Sequence, residues 1–247
     1  MRSGFVAVAG RPNVGKSTLV NALCGGKVAI VSDKPQTTRR RIFGIANGDD
    51  YQLVLADLPG FQRPLDALTK RMQKTVDAAF EEVEAVVFVL SARERIGAGD
   101  RFIASRVFGL GVPVVIALNK VDRLKPAHVA QQMEAAARLG NFHALHPVSA
   151  KTGDGVPALH DELVGLLPEG PLYFPVEQRT DLSLEVQLAE LIREKALGLT
   201  RDEVPHAISV EVEEIEALLG RHVFLELKVK VRPRWRRDAA TLERLGL

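Results

Sequence analysis

The chain has 247 residues, 46% hydrophobic and 26% charged, with a net charge of +2 and a single cysteine. These values suit one large or two modest globular domains, exclude an internal disulfide framework and confine any nucleic-acid surface to a local patch. Residues 1–30 lack the basic-then-apolar order of a signal peptide, and the longest apolar runs fall well short of the roughly 20 residues that span a bilayer. A soluble cytoplasmic protein is the expectation, with Cys24 in a packing role.

In chain order, the apolar run Phe5–Ala9 leads into Gly10-Arg11-Pro12-Asn13-Val14-Gly15-Lys16-Ser17, and Thr18–Leu23 leads out. Strand, glycine loop and helix in that order match the phosphate-binding pattern G-x-x-x-x-G-K-S. Its glycines let backbone N–H groups turn around a phosphate chain, and the helix N-terminus adds unsatisfied donors. Lys16 would reach the β- and γ-phosphates, and the Ser17 hydroxyl would ligate Mg²⁺. Residues 25–41 have no hydrophobic period but contain Lys34-Pro35-Gln36-Thr37-Thr38-Arg39-Arg40-Arg41. This is where a switch loop would lie, with Thr37 or Thr38 completing the Mg²⁺ shell.

Ile42–Ala46 and Tyr51–Ala56, separated by Asn47-Gly48-Asp49-Asp50, predict a hairpin. Its second strand ends in Asp57-Leu58-Pro59-Gly60, where Asp57 can hold Mg²⁺ through water and the Gly60 N–H can face the γ-phosphate. Leu65, Leu68, Met72, Val76 and Phe80 predict a helix over 66–82. The continuous apolar run 84–90 predicts a strand buried on both faces, followed by a helix at 100–110 and another strand at 113–118.

That last strand runs directly into Asn119-Lys120-Val121-Asp122. An Asp122 carboxylate can accept from guanine N1–H and the 2-amino group, whereas adenine would leave it buried and unpaired. Asn119 would fix the base edge and the neighbouring loops, and the Lys120 stem would cover the base plane. A helix near 126–139 and a strand at 143–148 lead to Ser149-Ala150-Lys151, where the Ala150 N–H could meet guanine O6. A closing helix, 156–167, ends at Pro168-Glu169-Gly170-Pro171, a candidate boundary. Leu172-Tyr173-Phe174-Pro175 reads as a linker packed on the first domain. An amphipathic helix at 183–197 presents Leu184, Leu188, Leu191 and Ile192 and is capped by Gly198. Alternating strands follow at 207–212 and 222–231. Residues 228–247 carry seven Lys/Arg against two Asp/Glu, and Lys228, Lys230, Arg232, Arg234, Arg236 and Arg237 with Trp235 form a candidate RNA-binding edge.

With these motifs in order, residues 1–170 resemble the TrmE–Era–EngA group of translation-factor-related GTPases. The strings 10–17, 34–39, Tyr173-Phe174-Pro175, Val204-Pro205 and 223–231 are similar to the Era family within it. The resemblance implies an α/β fold: a P-loop GTPase domain, with a mostly parallel six-stranded sheet between helices, followed by a small α+β KH-like domain. Over this chain that gives a GTPase domain at 1–170, a linker at 171–182 and a KH-like domain at 183–247. Implied with it are GTP/GDP and Mg²⁺ as cofactors, slow hydrolysis, and Asn13 as a ligand of an activating K⁺. The implied partners are the 3′ region of 16S ribosomal RNA and the 30S subunit whose assembly it assists. Peripheral association with the cytoplasmic face of the membrane is implied too, with no DNA partner and a monomeric state. Alternatives are a nucleotide-sensing RNA-binding module with negligible turnover, or a relative acting on tRNA or another ribosomal target. A P-loop kinase or ATPase is disfavoured by Asn119–Asp122.

Phe61, with Gln62 next to it, occupies the place where many GTPases have a water-orienting glutamine and the resembling group a hydrophobic residue. Two departures stand out. Leu58 replaces the threonine usual in the family. Residues 181–247 contain no G-x-x-G, the loop with which a KH domain clamps an RNA backbone. The chain passes from Ala217 to Gly220 where the family has several dozen more residues.

Overall fold

A computed structural model describes residues 1–31, 41–60, 80, 83–199, 210–217 and 225–229. The expected helix at 66–82, Thr37 and Thr38, and the basic residues from Lys230 to Arg237 lie outside these, apart from Phe80. The structure forms two compact units, Met1–Asp181 and Leu182–Leu247.

The first unit is an α/β sandwich. Among the described residues its elements are β1 (Arg2–Ala9), α1 (Lys16–Leu23), β2 (Ile42–Asn47), β3 (Tyr51–Asp57), β4 (Ala85–Ser91), α2 (Ala98–Val107), β5 (Val114–Asn119), α3 (Pro126–Ala137), β6 (Ala144–Val148) and α4 (Val156–Leu166), with a short 3₁₀ turn at Val121–Arg123. The strands form one sheet in the order β2-β3-β1-β4-β5-β6. Every pairing is parallel except the β2–β3 hairpin, which is turned by the Gly48 N–H donating to the Tyr51 carbonyl at 3.0 Å. The expected mostly parallel six-stranded sheet is present.

Continuous apolar runs build this sheet because helices cover both faces. Successive residues serve opposite cores: Val6, Val8, Val87 and Val89 pack with Leu19, Leu23, Leu159 and Leu163 on one side. Ala7, Phe88, Leu90 and Ile116 pack with Ile103, Val107 and Ala136 on the other. Cys24 is buried in the first core, and burial pushes its thiol up to about 12, so it is un-ionised and chemically quiet. The parallel arrangement brings the C-terminal ends of β1, β3, β5 and β6 to one edge, where ligands of open α/β sheets bind.

Residues 172–181 form a strap along the sheet's β2 edge. Gln52 is fully buried in β3 and makes four hydrogen bonds, three of which anchor the strap. Its Oε1 accepts from the N–H groups of Tyr173 (2.7 Å) and Phe174 (3.0 Å). Its Nε2 donates to the carbonyl of Phe174 and to Oδ1 of Asn47, each at 2.8 Å. The amide's two donors and its acceptor oxygen are thereby satisfied, as burial requires. Further along, Ile45 N–H donates to the Arg179 carbonyl at 2.9 Å, and Gly44 bridges to Thr180. Phe5, Phe43, Tyr173 and Phe174 stack edge to face or tilted, with centroids 4.7–6.1 Å apart.

The second unit contains α5 (Leu184–Leu199) and a two-stranded sheet of β7 (Val212–Ala217) and β8 (Leu225–Val229). Three expectations are corrected here. The helix runs through Gly198 to Leu199, so that glycine is no cap; its cost of about 1 kcal/mol is outweighed by burying Leu197. The buried stripe is Ala189, Arg193 and Leu197, while Leu184 and Leu191 stay exposed. Arg193 can be buried because its Nη2 pairs with Glu190 Oε2 at 2.5 Å. Of the strand expected at 207–212, residues 207–209 lie outside the described residues; Val210 and Glu211 are not in a strand, and β7 begins at Val212. Val212 faces Val229 while Ile215 faces Leu227, so one strand advances three residues where the other advances two. That bulge breaks the period-two pattern, which is why Val-Glu-Glu-Ile did not read as a strand.

Candidate functional site: a nucleotide-binding edge

The loop after β1 wraps back toward α1. Gly15 stands just before the helix with φ 99°, a left-handed conformation that glycine adopts without strain. A Cβ there would fall 2.3 Å from Asn119 Nδ2. Lys16 begins the helix buried, and its Nζ donates to the Arg11 carbonyl at 3.0 Å. Thr18 lies half-buried in the first turn of α1, and Val14 is buried.

The register Val8↔Asp57 places the end of β3 beside this loop. Ser17 Oγ donates to Asp57 Oδ2 at 2.7 Å, and Asp57 is fully buried. A hydroxyl and a buried carboxylate side by side are the hard oxygen donors Mg²⁺ takes, so these residues fit the ion. Gly60 comes up against Pro12 from the other side.

Asn119 ties three loops together. It is 2% exposed; its Nδ2 donates to the Val14 carbonyl at 2.9 Å. Its Oδ1 accepts from Lys120 N–H at 2.8 Å and from Ala150 N–H at 2.9 Å. Lys120 is left-handed, with φ 71°, and its ammonium reaches the carbonyl of Asn13, itself at φ 62°. Asp122 lies in the short 3₁₀ turn that follows. Ser149 Oγ donates to its Oδ1 at 2.8 Å, and Arg123 Nε stands 3.6 Å from Oδ2. Ser149 also accepts from Thr152 N–H at 3.2 Å, which closes the loop carrying exposed Lys151.

The loop after β1, the Ser17–Asp57 pair and the turn carrying Asp122 therefore lie at the C-terminal edge of the sheet. Among the residues expected at the site, Arg11 is differently employed. Its guanidinium turns away to Asp100 Oδ1 (Nε, 2.7 Å) and Glu94 Oε2 (Nη2, 2.8 Å). Sequence reasoning missed Asp100 and also Asn21, which bonds the backbone of Val28 and Ala29. Asp100 carries a local signal as an acid in the first turn of α2, but nothing local points to its partner.

Burial lowers the Lys16 ammonium to about 8, opposed by the nearby Asp57 carboxylate. Anionic phosphates raise it again, so nucleotide binding above about pH 8 takes up a proton, and affinity falls by up to about tenfold per pH unit. In the nucleotide-free protein the sign is opposite. The unfolded chain, with an ordinary lysine at 10.5, holds more protons between about 8 and that value, so this group's contribution to stability rises with pH there. Calorimetry at pH 8.5 in two buffers of different ionisation enthalpy should give different binding heats; identical heats would remove the proton.

Residues 5–120 match the family described as 50S ribosome-binding GTPase. GTPase Era of Nocardioides sp. is 40% identical over 300 residues, covering 99% of this chain and 96% of that protein. The chain belongs to the Era GTPase family. GTPase Era of Mycobacterium tuberculosis is 39% identical over 294 residues, covering 99% and 98%. A crystal structure of Era in complex with MgGDPNP and nucleotides 1506–1542 of 16S ribosomal RNA matches with a TM-score of 0.90 at 34% identity, covering 99% of this chain and 82% of that one. A point variant of Aquifex aeolicus Era bound to GDP·AlF4⁻ matches with the same TM-score, identity and coverage. Both Era sequence matches are nearly end to end yet longer than 247 residues, so these relatives carry residues inside the match that this chain lacks.

Proposed function

We propose that the protein is a GTP-hydrolysing switch that binds the 3′ region of 16S ribosomal RNA and assists 30S subunit assembly. The observation supporting the nucleotide half is the Asn119 junction, whose side chain bonds both the Val14 carbonyl in the loop after β1 and the Ala150 N–H. Gly10–Thr18 would wrap the phosphates with backbone N–H groups, and Lys16 would neutralise the β- and γ-oxygens. Ser17 and Asp57 would hold Mg²⁺, with Thr37 or Thr38 completing its shell; the ion supplies charge neutralisation when bound. The Gly60 N–H would meet the γ-phosphate. Asp122 would read guanine N1–H and the 2-amino group, and the Ala150 N–H would read O6.

With Phe61 and Gln62 in place of a water-orienting glutamine, intrinsic hydrolysis would be slow, and Asn13 would hold a K⁺ ion that supplies positive charge to the phosphates. Single-turnover hydrolysis should run several-fold faster in K⁺ than in Na⁺, and equal rates would sink the K⁺ assignment. Negligible turnover in either salt, with GTP bound, would favour the nucleotide-sensing alternative.

The RNA half rests on the Era complex with 16S nucleotides and on the basic edge Lys228–Arg237 of the KH-like unit. Contacts to Z phosphates give a log–log salt slope of about −0.7Z for single strands. A second reading is favoured by the residues missing from the match and by the absence of G-x-x-G. In it the GTPase is intact but the grip on RNA is weakened. Titration of a 3′-end 16S oligonucleotide separates the two: a flat salt response favours the second. The protein would act as a cytoplasmic monomer, peripheral to the membrane and without a DNA partner. Among the described residues no helix is long and apolar enough to cross a membrane.

A further inference from the structure

Arg11 belongs to the phosphate loop by sequence, yet its side chain leaves it. Nε and Nη2 point to two different carboxylates, Asp100 and Glu94, a fork that the planar guanidinium provides. Asp100 is 1% exposed, and both of its oxygens are engaged: Oδ1 takes Arg11 Nε, and Oδ2 accepts the Gly97 N–H at 2.9 Å at the start of α2. Gly99 lies under the arginine stem, where a Cβ would stand 2.8 Å from Cδ. Glu94 is half exposed, and such rim pairs contribute little. The buried carboxylate is the partner whose loss is felt.

The main chain of the same loop is held from other directions. The Arg11 carbonyl receives Lys16 Nζ, Pro12 meets Gly60, and the Asn13 carbonyl receives the Lys120 ammonium. All of those contacts come from the nucleotide motifs themselves. Asp100 comes from α2, outside every such motif.

We propose that Arg11 and Asp100 form a clamp that pins the outer limb of the phosphate loop to the start of α2, making Asp100 a positioning residue for nucleotide retention. The clamp rests on the GTPase reading above and deepens it. Arg11 acts through the backbone it carries, not through contact with phosphate. A limb released from α2 samples more conformations, and the loop's donors then meet the phosphates less often in register.

The test is the dissociation rate of a fluorescent GDP analogue from the full chain and from Arg11→Ala, Asp100→Asn and the double variant, with melting temperatures recorded alongside. Asp100→Asn keeps the shape and an acceptor for the Gly97 N–H, so the fold is spared. Each single variant should release GDP about five- to tenfold faster, and the double no faster than Arg11→Ala, because both remove one shared interaction. If Arg11 instead touched phosphate directly, freeing it through Asp100→Asn would leave release unchanged or slower, and the clamp would be overturned. Multiplying effects in the double variant would overturn it too, since they would mark general loosening or a lost helix cap. A parent chain that does not bind GDP would sink both the GTPase reading and the clamp. A parent that binds GDP while Asp100→Asn releases it at the parental rate sinks the clamp alone.

Discussion

Asp122→Asn should weaken GDP and GTP binding roughly 30- to 150-fold, while binding of the xanthine nucleotides improves. The size follows from losing charge-assisted hydrogen bonds worth about 2–3 kcal/mol, with 1.4 kcal/mol for each factor of ten. The direction follows from donor and acceptor placement. Guanine presents two donors to the carboxylate, and an asparagine amide would turn one donor against them. Xanthine carries an oxygen where guanine has its 2-amino group, so the new amide finds an acceptor. Ser149 Oγ, 2.8 Å from Asp122 Oδ1, can still donate to the asparagine oxygen, so the side chain keeps its place. The measurement is a fluorescence titration with GDP and XDP on both proteins. Parallel losses for the two bases would take base reading away from this residue.

Asn119→Ala should be the most disruptive single change for stability, costing about 2–4 kcal/mol and lowering the melting temperature by roughly 5–15 °C for a domain of this size. Three backbone groups lose their partner together: the Val14 carbonyl and the N–H groups of Lys120 and Ala150. Ala150 is itself buried, so its N–H is poorly placed to find water. The left-handed Lys120 also loses a bond that holds it there, and left-handed backbone at a non-glycine residue costs about 1–2 kcal/mol. Nucleotide affinity should fall too, because the loop holding Gly15 is no longer tied to the turn that carries Asp122. Thermal unfolding with and without GDP checks both effects. A melting temperature within 2 °C or so of the parent's would show that the junction is replaceable by solvent.

Much of the nucleotide edge could be read from residue types at strand ends. Gly15-Lys16-Ser17, Asp57 and Asn119–Asp122 each follow an apolar run that could only be a buried strand, and a parallel sheet gathers such ends at one edge. The Ser149–Asp122 bond was less legible, because it links loops 27 residues apart through a hydroxyl common in any turn. Arg11 belongs by sequence to the phosphate-loop motif, and only the fold reveals Asp100 beneath it. Gln52 looked like an ordinary polar residue in a strand; its burial depends on a segment more than 120 residues later. In the second unit the bulge between Val212 and Ile215 hid β7 from any period-two search. Arg193 hid the buried stripe of α5, since its neutralising partner Glu190 is equally polar on paper.

The strap has a consequence for where the first unit can be cut. β2 is the outermost strand on its side of the sheet, and the strap meets it through Gly44, Ile45 and Asn47. A chain ended at Gly170 would leave Gln52 with three of its four bonds gone and uncover the rings of Phe5 and Phe43. It would also offer the six residues of β2 as a bare template on which a second molecule could add a strand. A chain ended at Asp181 keeps that margin closed, so it should stay soluble where the shorter one self-associates.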